Sequence, residues 1–201
     1  MKNSNSDIQQ TGAFQALQRI AELMHEADVP WLVGGSSNLM LQGVDIGRAP
    51  RDLDIYMDAK QLDIAYDRLS PFATDIPVWD RTEMYYSKLS HYIVGGVTVE
   101  LVGDFEVRSR SSIYTVNLHL LHAMIGVETG IFAYPVSLMP LSHELIFNLL
   151  RNRPDRYIAI ANRMKEDLSR HLQSLRLIKE FCQLDAEVVQ QLNAMLGLQP
   201  D

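Results

Sequence analysis

Cysteine is almost absent from this chain, because Cys182 is the only one among its 201 residues. A disulfide within the chain is therefore impossible, and a reducing compartment is the simplest setting for it. Apolar runs are short as well, and none reaches the ~18 residues that a membrane-spanning helix needs. The opening segment, MKNSNSDIQQ, contains no apolar stretch of the kind that directs export. These absences predict a cytoplasmic protein that does not contact a membrane.

Basic charge is also scarce in the chain. Lys and Arg number 18 against 25 Asp and Glu, which gives a net charge of −7. Proteins that bind nucleic acids over a large surface neutralise many phosphates with Lys and Arg, so extensive nucleic-acid binding is not expected here. The low number of basic residues is still compatible with the binding of one small polyanion by a few local donors.

The spacing of apolar residues predicts strands mixed with helices up to about residue 140 and helices alone from 141 to 201. The first part is expected to contain a hairpin with the turn Gly95-Gly96, followed by a polar loop over 103–112. The fold class is therefore α/β in two parts, 1–140 and 141–201. The predicted helices are 8–27, 38–42, 59–69, 142–150, 157–168, 172–181 and 186–196, and the clearest predicted strands are 29–33, 52–57, 91–94 and 97–102.

Three carboxylates are predicted to meet on one face of the sheet. Asp52 and Asp54 lie two residues apart on a predicted strand, so their side chains point to the same side. Glu100 lies on a later strand and joins them if the two strands are neighbours. Like charges so close are costly unless a cation offsets them, and Mg²⁺ binds through a few carboxylates together with substrate phosphates. The pattern favours two Mg²⁺ ions, a pair that assists the in-line displacement of a phosphoryl group.

A turn of small residues lies between a predicted buried strand and a short helix. Gly34 and Gly35 allow backbone N–H groups to approach phosphate oxygens, and a helix N-terminus attracts negative charge. Ser36 or Ser37 is expected to cap the helix, and Ser36 can contact a phosphate at the same time. The turn therefore predicts a triphosphate site at Gly34, Gly35 and Ser36.

Arginines lie near these segments in two groups. Arg48 and Arg51 flank the acidic pair and either bind phosphate through their fork-shaped donors or offset the negative charge. We assign Arg51 to the predicted nucleotide site. Arg151, Arg153 and Arg156 follow a predicted helix, and we interpret them as a solvated helix end rather than as ligands of a triphosphate.

Each segment by itself has a simpler interpretation. A Gly-Gly pair alone is typical of a turn, and Asp-x-Asp alone is typical of a solvated strand face. Their order along the chain and their placement on the predicted elements together indicate a nucleotide or metal site. The aromatic residues of the sheet are interpreted as core, because aromatic side chains in sheets are more often buried than part of a pocket. They are Trp79, Tyr85, Tyr86 and Tyr92.

In these segments the chain resembles the DNA polymerase β-like nucleotidyltransferase superfamily. The pattern of that superfamily is an apolar strand, Gly-Gly or Gly-Ser, Asp-x-Asp after a spacer, and a third carboxylate on a later strand. Here the pattern is matched by VGGS at 33–36, DLD at 52–54 and Glu100. The segments WLVGGSSNLMLQG, RDLDIYM and PLSHELIFNLLRNRPDRY are similar to the small bacterial branch that includes aminoglycoside and lincosamide nucleotidyltransferases. The resemblance covers about residues 28–160.

The resemblance implies an α+β fold with a mixed sheet, flanking helices and a C-terminal helical part. It implies a Mg²⁺-dependent enzyme that transfers a nucleoside monophosphate from an NTP, with ATP expected, to a hydroxyl of a small molecule and releases pyrophosphate. Asp52, Asp54 and Glu100 would hold the two ions, and Glu100 would also accept the hydroxyl proton. The partners would be the NTP and the acceptor, and the formation of homo-oligomers stays open.

The chain departs from the pattern of this branch at three places. Glu100 replaces the commoner Asp, Phe147-Asn148 stands where many relatives carry Lys, and Pro154-Asp155-Arg156 stands where Lys-Asp often follows. Two alternatives therefore stay open. One is an enzyme of the toxin–antitoxin type that acts on a protein or a tRNA, and the acidic balance speaks against the tRNA. The other is a non-catalytic nucleotide-binding module, which the second and third departures favour and the intact carboxylates disfavour.

Overall fold

The computed structural model describes residues 12–125 and 129–199 of the chain. These residues form eight α-helices, six strands and two short 3₁₀ helices. The strands are β1 Leu32–Gly34, β2 Asp52–Met57, β3 Val78–Arg81, β4 Tyr85–Val94, β5 Val97–Ser109 and β6 Ser112–Thr115. The helices are α1 Gly12–Ala27, α2 Gly35–Leu41, α3 Ala59–Leu69, α4 Leu118–Ile125, α5 Leu141–Leu150, α6 Pro154–Lys165, α7 Leu172–Phe181 and α8 Ala186–Leu196, with 3₁₀ turns at Ser70–Phe72 and Leu168–His171.

The six strands form one mixed sheet, as expected from the sequence. Its order is β1-β2-β5-β4-β3, and β6 pairs with β5. Strands β2 and β5 run parallel, whereas the other neighbours are antiparallel. The parallel pair places the Asp-x-Asp strand next to the strand that carries Glu100, so the condition for the predicted carboxylate cluster is met.

One face of the sheet packs against α3 and contributes to the hydrophobic core. Leu53 and Ile55 of β2 and Val99 and Leu101 of β5 are fully buried, as the alternation of their strands predicts. Gly103 lies farther along β5, where a Cβ atom would come within 2.9 Å of the Cα of Ala59 in α3. The absence of a side chain there allows α3 to lie close against the sheet.

The prediction of a polar loop over 103–112 is wrong. Strand β5 continues to Ser109, and β6 pairs back onto it in antiparallel register. Phe105 and Val107 are buried between more polar neighbours, so the segment has the alternation of a half-buried strand despite its many polar residues. The predicted helices 59–69, 172–181 and 186–196 are confirmed as α3, α7 and α8.

The part from residue 141 onwards is helical, as predicted. All ten residues of α5 are buried, because this helix packs against α2, β5, α6, α7 and α8. Buried side chains from both sides of residue 140 belong to one core, and the division into parts 1–140 and 141–201 stays a prediction. Of the helices within the described residues, none combines the length and apolar character needed to cross a membrane.

Candidate active site

The three predicted carboxylates lie along one wall of a cleft of about 450 Å³. In the parallel register of β2 and β5, Asp54 lies directly opposite Glu100, and Asp52 precedes Asp54 by two residues. The side chains between them on β2 and β5 point into the core, so the carboxylates share the other face. A cleft of this volume is of the size that holds a small-molecule ligand or cofactor.

Negative charge at the centre of this wall is poorly compensated. The pKa of Asp54 is raised from an ordinary 3.8 to about 7, first by burial and then by the charges of Asp52, Glu100 and Glu144, while Arg156 acts in the opposite direction. The ionised form of Asp54 is therefore unfavourable in the protein by itself. A bound cation would remove the cause of the repulsion.

Glu100 has a further neighbour on β4. His91 lies opposite it in the antiparallel register and is held by Asp75, whose Oδ2 is 2.6 Å from His91 Nδ1. Burial raises the pKa of Glu100, His91 lowers it, and Asp52 raises it. The polar row Asp54, Glu100 and His91 thus crosses three adjacent strands.

The donor set of this wall suits a hard cation, although the side chains do not converge on a single point. Among residues 12–125 and 129–199, no three His, Cys, Asp or Glu side chains are close enough to hold a metal ion as they stand. Carboxylate oxygens are the ligands that Mg²⁺ prefers, and the raised pKa of Asp54 marks uncompensated negative charge at this place. The residues present therefore fit a divalent cation in their chemistry.

Four arginines line the same cleft: Arg48, Arg51, Arg151 and Arg156. The interpretation of Arg151 and Arg156 as part of a solvated helix end is wrong, because both side chains line the cleft and Arg156 is hydrogen-bonded to Ser36. Arg153 does not line it and pairs with Asp155 instead, at 2.7 Å. The sequence shows three arginines close together, but it does not show which of them point into the cleft.

Arg156 is the most constrained of these four cations. Its Nη2 donates to the hydroxyl of Ser36 at 2.9 Å, while its buried Nε has no hydrogen-bond partner among the described residues. Burial lowers the pKa of Arg156, and the positive charges of Arg153, Arg151 and Arg48 lower it further. An anion in the cleft, which Arg156 lines, would relieve this repulsion.

The glycine turn differs in detail from the expectation. Gly34 does not line the cleft; a Cβ atom on it would lie 2.4 Å from a ring carbon of Tyr56, so this glycine allows close packing. Gly35 does line the cleft, but its N–H donates to the buried Glu144 Oε1 at 2.7 Å. This amide, expected to meet a phosphate, is thus engaged within the protein.

The predicted serine cap of α2 is not observed. Gly34 is the N-cap residue, and no side chain caps the helix. The hydroxyl of Ser37 donates to the carbonyl oxygen of Asp52 at 2.9 Å, and the hydroxyl of Ser36 accepts from Arg156. Both serines therefore connect the turn to the walls of the cleft, because the tertiary structure offers them partners other than the amides of the helix.

Glu144 and Asn148 of α5 show what the sequence analysis missed. Glu144 is completely buried next to the glycine turn, and Asn148 donates through Nδ2 to its carbonyl oxygen at 2.8 Å. Asn148 does not line the cleft, so the departure from the family pattern at this position concerns the interior rather than a ligand contact. Four polar residues in the short, otherwise apolar helix LSHELIFNLL were a usable signal of a buried polar network.

Aromatic rings form the floor of the cleft. Tyr85 and Phe105 stack with ring centroids 5.9 Å apart, and Phe105 meets Phe147 edge-on at 5.3 Å. Phe105 reaches the cleft because Asp104 has a positive φ of 49° and the pairing with β4 shifts nearby, which interrupts the alternation of β5. Arg151 lies over the Phe147 ring at 4.5 Å.

Of the four sheet aromatics interpreted as core, only Tyr92 is buried in the structure. Tyr92 is fully buried, but Trp79 is 51% exposed and stacks on Tyr86 with 5.0 Å between centroids. Tyr85 lines the cleft. Strand β3 is the edge of the sheet, where aromatic residues are not covered by a further strand.

Comparison with known proteins defines the class of fold. No protein-family model and no curated protein matches the chain. Its structure is similar to that of a Thermotoga maritima protein provisionally named a nucleotidyltransferase, with 23% identity, a TM-score of 0.55, and coverage of 77% of this chain and 91% of that one. This likeness shows that the chain has the nucleotidyltransferase fold, as the resemblance in its sequence implied, and at this identity it shows the fold alone.

The structure is also similar, more weakly, to the solved structure of ANT(2'')-Ia in complex with adenylyl-2''-tobramycin. That protein shares 14% identity with the chain, with a TM-score of 0.45 and coverage of 91% of this chain and 95% of that one. A score this low supports no conclusion about the chain.

Proposed function

We propose that the chain is a Mg²⁺-dependent nucleotidyltransferase that transfers a nucleoside monophosphate from an NTP, with ATP as the expected donor, to a hydroxyl of a small molecule. One observation carries this proposal: carboxylates on two adjacent strands and four arginines line the same cleft. A triphosphate that arrives with divalent cations carries both kinds of partner, anionic oxygens for the arginines and metal for the carboxylates. The fold is consistent with this assignment.

The arginines would bind and orient the triphosphate. Guanidinium groups donate in a planar fork that matches phosphate oxygens. Arg156 lines the cleft, and Arg51 lies next to Asp52 at the start of β2, where phosphate and metal would meet. Ser36, already bonded to Arg156, extends this surface. Gly34 and Gly35 would shape the turn. Their contacts with Tyr56 and Glu144 indicate a role in packing rather than in direct contact with the ligand.

Asp52 and Asp54 would hold two Mg²⁺ ions, and Glu100 would share one of them. When bound, such ions stabilise the charge on the attacking and leaving oxygens of an in-line displacement. The acceptor hydroxyl oxygen would form a bond to the α-phosphorus, while the bond from that phosphorus to the β-phosphate oxygen breaks and pyrophosphate leaves. The hydroxyl proton would pass to the Glu100 carboxylate.

The aromatic floor would hold the flat part of the nucleotide. Bases stack on aromatic rings whatever their sequence identity, and Tyr85, Phe105 and Phe147 present such rings beside the charged walls. Stacking and phosphate contacts together would place the α-phosphorus against the carboxylates. Positioning of this kind supplies much of the rate in phosphoryl transfer.

Calorimetric titration of ATP, first with Mg²⁺ and then with EDTA, tests the proposal. We expect binding to depend on the metal, and each ligand to raise the affinity of the other by the same factor. Release of pyrophosphate in the presence of hydroxyl-bearing small molecules would then establish the reaction. Labelled NTP incubated with lysate proteins and tRNA tests the macromolecular acceptors in parallel.

The matched variants are Asp54→Asn in the cleft and Asp67→Asn, the same change at an exposed position of α3. We expect the first variant alone to lose metal-dependent binding and transfer. Binding that does not depend on metal, combined with no release of pyrophosphate for any acceptor, would contradict the proposal and favour a non-catalytic module.

A further inference from the structure

A carboxylate lies buried behind the glycine turn, outside the cleft itself. Glu144 has 0% exposure, although burial of an ionisable side chain is costly unless its oxygens are satisfied. Its Oε1 accepts two hydrogen bonds, from the N–H of Gly35 at 2.7 Å and from Nδ2 of Asn38 at 2.9 Å. Its Oε2 has no hydrogen-bond partner among the described residues. An apolar side chain would fill this place at lower cost, so packing alone does not account for Glu144.

Gly35 is the residue that links Glu144 to the cleft. Its φ of +64° lies in the left-handed region, which costs other residues about 1–2 kcal/mol. A Cβ atom on Gly35 would lie 1.8 Å from Oδ2 of Asp54. The Asp54 carboxyl thus rests directly against the α-carbon whose amide Glu144 holds.

Asp54 needs such a support because its neighbours repel it. The charges of Asp52 and Glu100, and to a smaller extent that of Glu144, act against the charge of Asp54, so repulsion alone would turn the carboxylate away from its neighbours on the sheet. Without an acceptor at Glu144, the buried Gly35 N–H would lose its partner at a cost of about 1–3 kcal/mol, and the turn would rearrange. The surface on which Asp54 rests would then move.

We propose that Glu144 is a positioning residue, which holds Gly35 in its left-handed conformation and thereby fixes the Asp54 carboxyl in the orientation used for metal and nucleotide. The inference rests on the proposed function, since it takes Asp54 as the residue that binds the metal. Residues that orient a metal ligand through hydrogen bonds typically contribute tenfold to hundredfold to metal affinity. Glu144 acts through Gly35 and does not touch the substrate.

The test compares four variants of the full chain. Glu144→Ala removes the acceptor, Glu144→Gln keeps an oxygen for the Gly35 N–H, and Glu144→Asp withdraws the oxygen by one methylene. Asn38→Ala is the control, because it removes the other donor to the same oxygen, together with the bonds of Asn38 to Met139 and Gln42, and leaves the Gly35 bond. The measurements are the melting temperature, the Mn²⁺ affinity in the presence of ATP, and the ¹³C resonance of the Asp54 carboxyl.

We expect Glu144→Ala and Glu144→Asp to weaken Mn²⁺ affinity by about tenfold or more and to shift the Asp54 resonance. Glu144→Gln should restore both, and Asn38→Ala should lower the melting temperature while leaving both near the wild-type values. If Glu144→Ala does not fold, the comparison of Glu144→Asp with Glu144→Gln tests the proposal: the first should lose Mn²⁺ affinity and the second should keep it.

The proposal is overturned if Glu144 variants lose only stability, if Glu144→Gln fails to restore the affinity, or if Asn38→Ala loses as much affinity as Glu144→Ala. Wild-type protein that binds no Mn²⁺ with ATP would refute the proposed function instead. In that case the Asp54 resonance still decides whether Glu144 positions this carboxyl.

Discussion

The two walls of the cleft are built in different ways. The sheet wall is negative and local in the chain, since Asp52 and Asp54 are two residues apart on one strand. The helical wall is positive and its contacts are distant in the chain, since Arg156 contacts Ser36 across 120 residues. Each wall by itself is electrostatically unfavourable: burial and like charges raise the pKa of Asp54 and lower that of Arg156. The contrast teaches that the two walls compensate each other only in part: Arg156 lowers the pKa of Asp54, yet that pKa stays raised to about 7.

The largest expected effect is that of Asp54→Asn on the sheet wall. Loss of a metal ligand should lower transfer by about 1,000-fold or more. The same change should stabilise the metal-free protein at pH 8 by about 1–3 kcal/mol, because one pKa unit corresponds to about 1.4 kcal/mol and solvent in the cleft reduces the effect. Rates of pyrophosphate release and urea unfolding in EDTA check both parts. Loss of activity together with loss of stability would contradict the claim that the charge of Asp54 is uncompensated in the metal-free protein.

The next effect concerns the junction of the walls at Gly35. Gly35→Ala should destabilise the protein by about 2–4 kcal/mol, because it adds a clash with Asp54 to the cost of a left-handed backbone. Gly96→Ala is the control: φ is +81° there, but a Cβ atom meets nothing within 4 Å. Urea unfolding should show a clearly smaller loss for this control, and equal losses would mean that Asp54 does not rest against Gly35.

The helical wall is tested by removal of one guanidinium. Arg156→Ala should weaken ATP binding by about 10–100-fold, the range of a lost charge-assisted hydrogen bond. Arg153→Ala removes a neighbouring arginine that pairs with Asp155 outside the cleft and should have little effect. Calorimetry in the presence of Mg²⁺ measures the ATP affinity of both variants. A similar loss in the two would show that Arg156 acts through the overall charge of the protein rather than through contact in the cleft.

The smallest effect is the pH dependence of stability in EDTA. Burial lowers the pKa of His143 from 6.5 to about 3, so its contribution to stability is present above about pH 6.5 and is lost as the pH falls towards 3. Asp54 has the opposite sign, since its raised pKa makes the fold more stable as the pH falls from about 7 towards 4. The stability advantage of Asp54→Asn should therefore shrink over this interval.

In the same variant the net loss of stability on acidification should become steeper, because the opposing contribution of Asp54 is absent while that of His143 stays. The net change in the wild type is expected to be only about 1 kcal/mol. Urea unfolding at several pH values between 7.5 and 5 measures both curves, and the difference between wild type and Asp54→Asn isolates the contribution of Asp54, because Glu100, whose pKa is also raised, is common to both proteins. Parallel curves for wild type and Asp54→Asn would show that Asp54 titrates in the folded protein as it does in the unfolded chain.

Local patterns explain what was predictable. The strand that carries Asp52 and Asp54, the hairpin around Gly95-Gly96 and the helices α3, α7 and α8 follow from periodicity and turn residues, which act over a few neighbours. The length of β5 was underestimated because its polar residues resemble those of a loop, and only pairing with β4 and β6 makes them a strand. Phe105 entered the cleft through an irregularity at Asp104 that no alternation rule anticipates.

The sequence by itself determined that three carboxylates and a glycine turn exist at spacings suited to phosphate and metal, because strand geometry relates residues two apart whatever surrounds them. Only the tertiary structure decided that Arg151 and Arg156 face these carboxylates while Arg153 does not, that the amide of Gly35 is held by Glu144, and that Gly34 serves the packing of Tyr56. Such contacts depend on how helices α5 and α6 fold back over the sheet. That arrangement is a property of the whole core, and no local stretch of residues encodes it.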